Sequence, residues 1–396
     1  MSRPLRIFLV CQQDLGGPPH PVPAYRFWRG YFASALRDAG HELLEAPGCD
    51  WAAGLLPLAR PDLAAWRDAT WTRALERLRV EHARRPVDLF LSYLYPKQVH
   101  PGALAEIRRL GLPRVNFFCD NVREFRRIPH EFTPFDLHWV PEFKALPLYR
   151  SAGLPVLHAP MPCWVAPDYR TPPDRERTPA AFVGTRDHTR SELFAHAFAL
   201  GLDARLWGRG WRDGDSALDE ARPTPSTATT SGLLANQLDF IRRHGTAALL
   251  RKVADKLRPV RPLAFNFGLH AGDLADDHTY WALLRESIVC LGVNRYPSPR
   301  HSPTRPDTYS RLRDVEAPMA GACYLTEWTE GLDALYEPGV EIETYRDAAE
   351  LVEKTRALAA DPARRARLRA AGQRRAIADH SITRTLARIA AKLGVS

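Results

Sequence analysis

Several residues along this chain have types and spacing suited to gripping an anion. An apolar run at 180–183 is followed by Gly184, then by Arg186 and Arg190 at the entrance to a helical segment. Free backbone N–H groups and the positive end of a helix attract phosphate at such a point. Two guanidiniums there can clamp a diphosphate through paired hydrogen bonds. A second apolar run, 288–293, leads into Asn294 and Arg295, and Arg295 is a further candidate for the same anion. Glu316 lies inside the apolar stretch 315–322, where a carboxylate is expensive to bury without a partner. Arg313, three residues earlier, is one available partner. Near the N-terminus, Asp14, Gly16 and Gly17 follow the first apolar run, and a glycine pair lets the backbone approach a ligand closely. Asp120, after Cys119, ends another such run and can orient a hydroxyl or take its proton. Asp14 and Asp120 are therefore the candidate catalytic carboxylates. The plainer alternatives are surface charge for the arginines, a tight turn for the glycine pair and a cap for Asp120. His20, His130 and His138 are scattered, with no spacing suited to a metal or a triad.

Alternating strands and helices must position these residues. The pattern predicts strands at 6–10, 41–45, 87–91, 113–118 and 136–140, with helices at 25–40, 66–84 and 101–110 between them. From 141 to 179 the pattern weakens and proline accumulates, which marks a linker. A second series follows, with strands at 180–183, 204–207, 288–293 and 322–326. Helices are expected at 191–200, 280–287 and 309–320, and two basic helices within 237–257. Residues 294–308 read as irregular, and residues 213–235 as a polar loop. The tail from Ala348 reads as helical, with a break at Gly372 and a last helix from Ile382. Short apolar strands separated by helices indicate parallel sheets, here two in series.

The chain has 396 residues, 45% hydrophobic and 26% charged, enough apolar material for two cores. No run of about 18 apolar residues suggests a membrane span. The first apolar run is too short for a signal peptide, since Gln12, Gln13 and Asp14 follow it. Six scattered cysteines with no CxxC pair argue against zinc and fit a reducing cytosol. The net charge of +9 attracts nucleic acid, anionic lipid and phosphorylated ligands alike. No aromatic-interleaved basic stripe or known motif accompanies it, which argues against nucleic acid.

Residues 312–326, LRDVEAPMAGACYLT, resemble the C-terminal domain of GT-B glycosyltransferases, in particular the CgeB-like group related to retaining family four. The stretches 331–345, GLDALYEPGVEIETY, and 361–380, DPARRARLRAAGQRRAIADH, continue the resemblance. A second match, AFVGT to LWGRGW, spans 181–211. The likeness covers about half the chain well, and the N-terminal half only in layout. It implies an α/β GT-B fold: two facing Rossmann-like domains with parallel sheets and an interdomain cleft. Residues 1–162 would hold the acceptor and 163–178 would link to a nucleotide-sugar domain at 179–381. That domain would carry a loop and helical insertion at 213–262, and helix 382–396 would pack back on the first domain.

The resemblance further implies that Glu316 accepts hydrogen bonds from the ribose hydroxyls, and that Gly16 and Gly17 face the sugar and diphosphate. The co-substrate would be a UDP-, GDP- or dTDP-sugar, with no bound cofactor and no metal, and transfer would retain anomeric configuration. The acceptor would be a glycan, a protein, a lipid-linked intermediate or a small molecule, with the enzyme cytoplasmic or at the inner face of an anionic membrane. Two positions depart from the family pattern. Thr308 stands where a second glutamate is frequent, and Cys119 where a histidine is frequent. The alternatives are a basic nucleic-acid-binding or nucleic-acid-modifying protein, a GT-B sugar-nucleotide epimerase, and a non-catalytic relative.

Overall fold

The structure is a computed structural model. It describes residues 3–11, 24–56, 58–177, 179–212, 241, 245–246, 248–250, 265–273, 276–298, 300–301 and 305–395, with the backbone alone at 24–27. The chain divides into two compact units. The first is Met1–Val122, Arg127–Trp164 and Ala378–Ser396; the second is Arg123–Arg126 and Val165–Ile377.

The first unit is built on six parallel strands: β1 Arg6–Val10, β2 Glu42–Leu44, β3 Leu89–Tyr93, β4 Arg114–Phe117, β5 Leu137–Val140 and β6 Val156–His158. Their order is β2-β1-β3-β4-β5-β6. Strands β1, β3, β4 and β5 are buried throughout, as expected when helices cover both faces of a parallel sheet. Helix Ala24–Asp38 sends Trp28 and Phe32 onto that sheet, where both meet Phe117 edge-on and Phe32 also meets Trp139. Helix Arg60–Arg84 starts earlier than its periodicity indicates, because Pro61 and Asp62 make a favourable first turn. Strand β6 and helix Leu146–Ser151 fall where the sequence showed only a weakening pattern. Strand β6 has three residues between Pro155 and Pro160 and pairs only with β5, so an edge position tolerates those prolines. Helix Ile382–Leu393 belongs to this unit and packs on helix Ala24–Asp38, with Ile382, Leu386 and Ile389 buried.

The second unit has five parallel strands: β7 Ala180–Val183, β8 Ala204–Trp207, β9 Cys290–Gly292, β12 Tyr324–Glu327 and β13 Glu343–Tyr345. Their order is β13-β12-β9-β7-β8. Residues 294–308, expected to be irregular, contain a short antiparallel pair, β10 Arg295–Tyr296 with β11 Asp307–Thr308. Helix His188–Ala199 begins three residues before its expected start, because Asp187 caps it by accepting from the Arg190 N–H at 3.0 Å. Helix Pro362–Asp379 runs unbroken through Gly372, against the expected break there. That glycine is set by packing: a Cβ would strike the carbonyl of Glu341. The interruptions fall instead at Asp361, which caps the helix by accepting from Arg364 N, and around Ser381, which caps Ile382–Leu393. Glu176, in the proline-rich stretch, is held by Arg365 and Arg369 of that long helix. Most of the expected basic helices at 237–257 and of the 213–262 insertion lies outside the described residues.

All six cysteines are buried and none forms a disulfide. Burial pushes Cys290 up to about 11 and Cys323 up to about 12, so both stay as thiols. None of the described helices is long and apolar enough to cross a membrane.

Candidate functional site

The carboxyl end of β7 is the centre of the arrangement in the second unit. Gly184 N–H donates to the Trp207 carbonyl at 2.8 Å, and the Gly184 carbonyl accepts from the Trp211 indole at 2.8 Å. Gly208 adopts φ 130°, and a Cβ there would lie 2.6 Å from the Gly184 oxygen. The turns after β7 and β8 therefore touch backbone to backbone, which only glycine permits.

Arg186 is buried in that junction. Its Nε donates to Ser191 Oγ at 3.0 Å, its Nη1 to the Gly210 carbonyl at 3.2 Å, and the guanidinium lies over the Phe267 ring. Sequence alone reads it as a diphosphate ligand; in the structure these contacts brace the two turns. Arg295 has a similar position. Its Nε and Nη2 donate to Glu327 Oε1 at 2.8 and 2.6 Å, while the backbone N–H groups of Asn294 and Arg295 donate to Glu327 Oε2. Asn294 also donates from Nδ2 to the Glu327 carbonyl at 2.8 Å. Glu327 ends β12, so this ion pair ties the loop after β9 to the next strand.

Arg190, Arg311 and Arg313 differ from these two. Arg190 donates from Nη1 to the Thr185 carbonyl at 2.6 Å and lies 3.4 Å from Asp187. Burial pushes its pKa down to about 10; Asp187 opposes the shift, and the neighbouring charges of Arg311 and Arg313 deepen it. Arg313 donates from Nη2 to the Val183 carbonyl at 3.3 Å, and its Nε is 3.3 Å from Glu316 Oε2. Burial works against its charge, but Tyr280 and Glu316 more than offset this and keep it protonated. Arg311 lies over the Tyr309 ring and donates from Nη1 to the Arg295 carbonyl at 3.4 Å. Its backbone N–H is fixed by buried Asp314, which also accepts from Tyr324 Oη and Thr326 Oγ1. Three guanidiniums thus gather beside three carboxylates, Asp187, Asp314 and Glu316.

Glu316 is 2% exposed, in helix Arg313–Met319. It accepts from Tyr280 Oη as well as pairing with Arg313. The structure therefore joins the β7 turn and Glu316 through one residue, Arg313. Thr308 Oγ1 donates to Thr329 Oγ1 at 3.0 Å.

In the first unit, Asp120 follows β4 and accepts from Tyr95 Oη at 2.9 Å. Behind it, Glu142 Oε2 accepts from Asn121 N at 2.6 Å and Val122 N at 3.3 Å. Glu142 is fully buried, and Oε1 has no partner among the described residues. Burial first, and the charge of Asp120 second, hold its carboxyl well above the ordinary glutamate range, against the two N–H donors. His138 is a core residue, its pKa pushed down to about 4 by burial among Phe132, Phe135 and Tyr149. Asp14, Gly16, Gly17 and His20 lie outside the described residues.

The sequence expectations omitted Arg311, Tyr280, Glu327, Tyr95 and Glu142. Two of these had a usable signal. Glu327 and Glu142 each follow within two residues of an expected strand end, where ligand-facing groups of α/β sheets collect.

The family described as glycosyl transferase-like matches residues 242–391. No curated protein matches the chain. Among solved structures, the sucrose-phosphate synthase of Thermosynechococcus elongatus is 15% identical, with 99% of each chain covered and a TM-score of 0.52. A glycosyltransferase from Rickettsia africae is 11% identical, again with 99% of each covered and a TM-score of 0.55. The Anabaena protein HepE, solved with UDP-glucose, is 13% identical over 98% of this chain and 99% of its own, with a TM-score of 0.51. The chain thus has the fold of the GT-B glycosyltransferases, with a glycosyl transferase-like region over residues 242–391.

Proposed function

We propose that this protein is a glycosyltransferase that takes a sugar from a nucleoside diphosphate and passes it to an acceptor hydroxyl. One observation carries the reading: Arg190, Arg311 and Arg313 converge at the carboxyl end of β7, close enough that the charges of Arg311 and Arg313 lower the pKa of Arg190. Such a cluster repels itself until an anion enters, and a leaving diphosphate gains negative charge as the bond from its oxygen to the anomeric carbon breaks. The guanidiniums supply that stabilisation, so the reading requires no metal ion. HepE, of like fold, was solved with UDP-glucose, which supports a nucleotide sugar as donor.

Glu316 is the candidate for the ribose hydroxyls, and Tyr280 Oη donates to one of its oxygens. Gly184, together with Gly208, lets the β7 turn approach the donor closely. Arg186 and Arg295 hold the framework. Asp120, oriented by Tyr95, is the group proposed to orient the acceptor hydroxyl or take its proton as the new C–O bond forms. Resemblance to retaining family four favours retention of anomeric configuration.

A thermal-shift panel of UDP, GDP, CDP, dTDP and their sugars tests the reading. One nucleotide is expected to raise the melting temperature, by linkage, with a smaller shift in Glu316→Ala. An unchanged shift in that variant removes Glu316 from the site. Release of nucleoside diphosphate only with acceptor present separates transfer from epimerisation.

A further inference from the structure

Far in sequence from the β7 turn, the first unit carries a basic surface that donor chemistry does not require. Helix Ile382–Leu393 presents Arg384, Arg388 and Lys392 at i, i+4 and i+8, and all three are exposed. That spacing lines them along one face over about 12 Å. Arg388 donates from Nη2 to the His158 carbonyl at 2.8 Å, and Lys392 from Nζ to the Val156 carbonyl at 3.0 Å. Both cations are thereby fixed along the edge strand β6. Exposed Arg150, at the end of helix Leu146–Ser151, extends the same cluster. The aromatic ring of His158 meets Phe143 edge-on at 5.6 Å, and Phe143 is 37% exposed, one of few large apolar side chains so placed.

Neither helix nor strand β6 contains an aspartate or glutamate. Among the described residues, Arg150, Arg384, Arg388 and Lys392 have no carboxylate partner. Their mutual repulsion is visible in the neighbours. Partial burial and then Arg384 lower the pKa of Arg388; burial lowers that of His158 against its contact with the Pro141 carbonyl, and Arg388 and Arg150 add to the lowering.

We propose that this face, with Phe143 among Arg150, Arg384, Arg388 and Lys392, docks the protein on an anionic lipid surface. A row of cations beside an exposed aromatic suits a headgroup layer: the charges meet lipid phosphates while the ring enters the boundary with the acyl chains. A nucleic-acid duplex would satisfy the charges but keep its bases stacked away from Phe143.

The test is flotation of the full-length protein with vesicles of phosphatidylcholine, alone or mixed with phosphatidylglycerol. Binding is expected to the mixed vesicles only, and to fall as salt rises. Arg150 and Arg384 make no internal bond that their loss would break, so Arg150→Gln/Arg384→Gln should keep its melting temperature and its nucleotide binding. Its vesicle partition should drop about 25-fold, about fivefold per cation. Phe143→Ser should weaken the partition without changing its salt dependence. Absence of binding to mixed vesicles, or binding unchanged in the double variant, overturns the proposal. Tighter binding to duplex DNA or RNA that the same double variant abolishes also overturns it, and assigns the face to nucleic acid.

Discussion

The two sheets end in opposite chemistry. Beyond β4 and β5 the first unit collects oxygen: Asp120, the Tyr95 hydroxyl and buried Glu142. Beyond β7 and next to helix Arg313–Met319 the second unit collects guanidinium: Arg190, Arg311 and Arg313. Both clusters lie past strand ends of parallel α/β sheets, and under the proposed function the first would serve a group that loses a proton and the second a group that gains negative charge. Similar scaffolds therefore carry opposite electrostatic character, and side chains just past the strands decide which.

Breaking the second edge should have the largest effect. Glu327→Ala leaves the largely buried Arg295 without its carboxylate, and strips an acceptor from two backbone N–H groups. A loss of about 3–5 kcal/mol is expected in urea unfolding; a variant within 1 kcal/mol, roughly the error of such work, would remove this pair from the framework. Gly208→Ala places a Cβ against the Gly184 oxygen at a backbone angle that side chains avoid. It should cost about 2–3 kcal/mol and weaken nucleotide binding as the two turns separate.

The first edge is expected to show itself through pH. Glu142 has a raised pKa, so the folded state holds a proton that the unfolded chain releases. Stability should therefore fall as pH rises above the ordinary glutamate value of 4.5, by at most about 1.4 kcal/mol per pH unit, until the folded pKa is passed. Glu142→Gln should remove that slope. Denaturation midpoints across pH, compared between the two proteins, check the sign.

Much of this was legible before the fold was in view. Strands β7 and β8 coincide with the apolar runs 180–183 and 204–207, and Glu316 stood out as a carboxylate in apolar surroundings. The less legible parts depend on long-range geometry. Nothing local distinguishes Arg186, which braces two turns, from Arg190, four residues on in the charge cluster. The difference is set by Gly210 and Ser191 on one side and by Arg311 and Arg313, more than a hundred residues away, on the other. Gly372 reads locally as a helix breaker, and only the Glu341 carbonyl beside it shows why it is glycine. Strand β6 was hidden because three residues between prolines carry too little pattern to register.

The most direct test is calorimetric titration of the nucleoside diphosphate that gives the largest thermal shift, on wild type, Arg190→Ala and Arg175→Ala. Arg175 is a paired but exposed arginine of the same unit and should change affinity by less than twofold. Arg190→Ala is expected to weaken binding by about 10- to 100-fold, with a shallower dependence on salt. Equal affinity in all three proteins would contradict the assignment of the arginine cluster beyond β7 to a diphosphate.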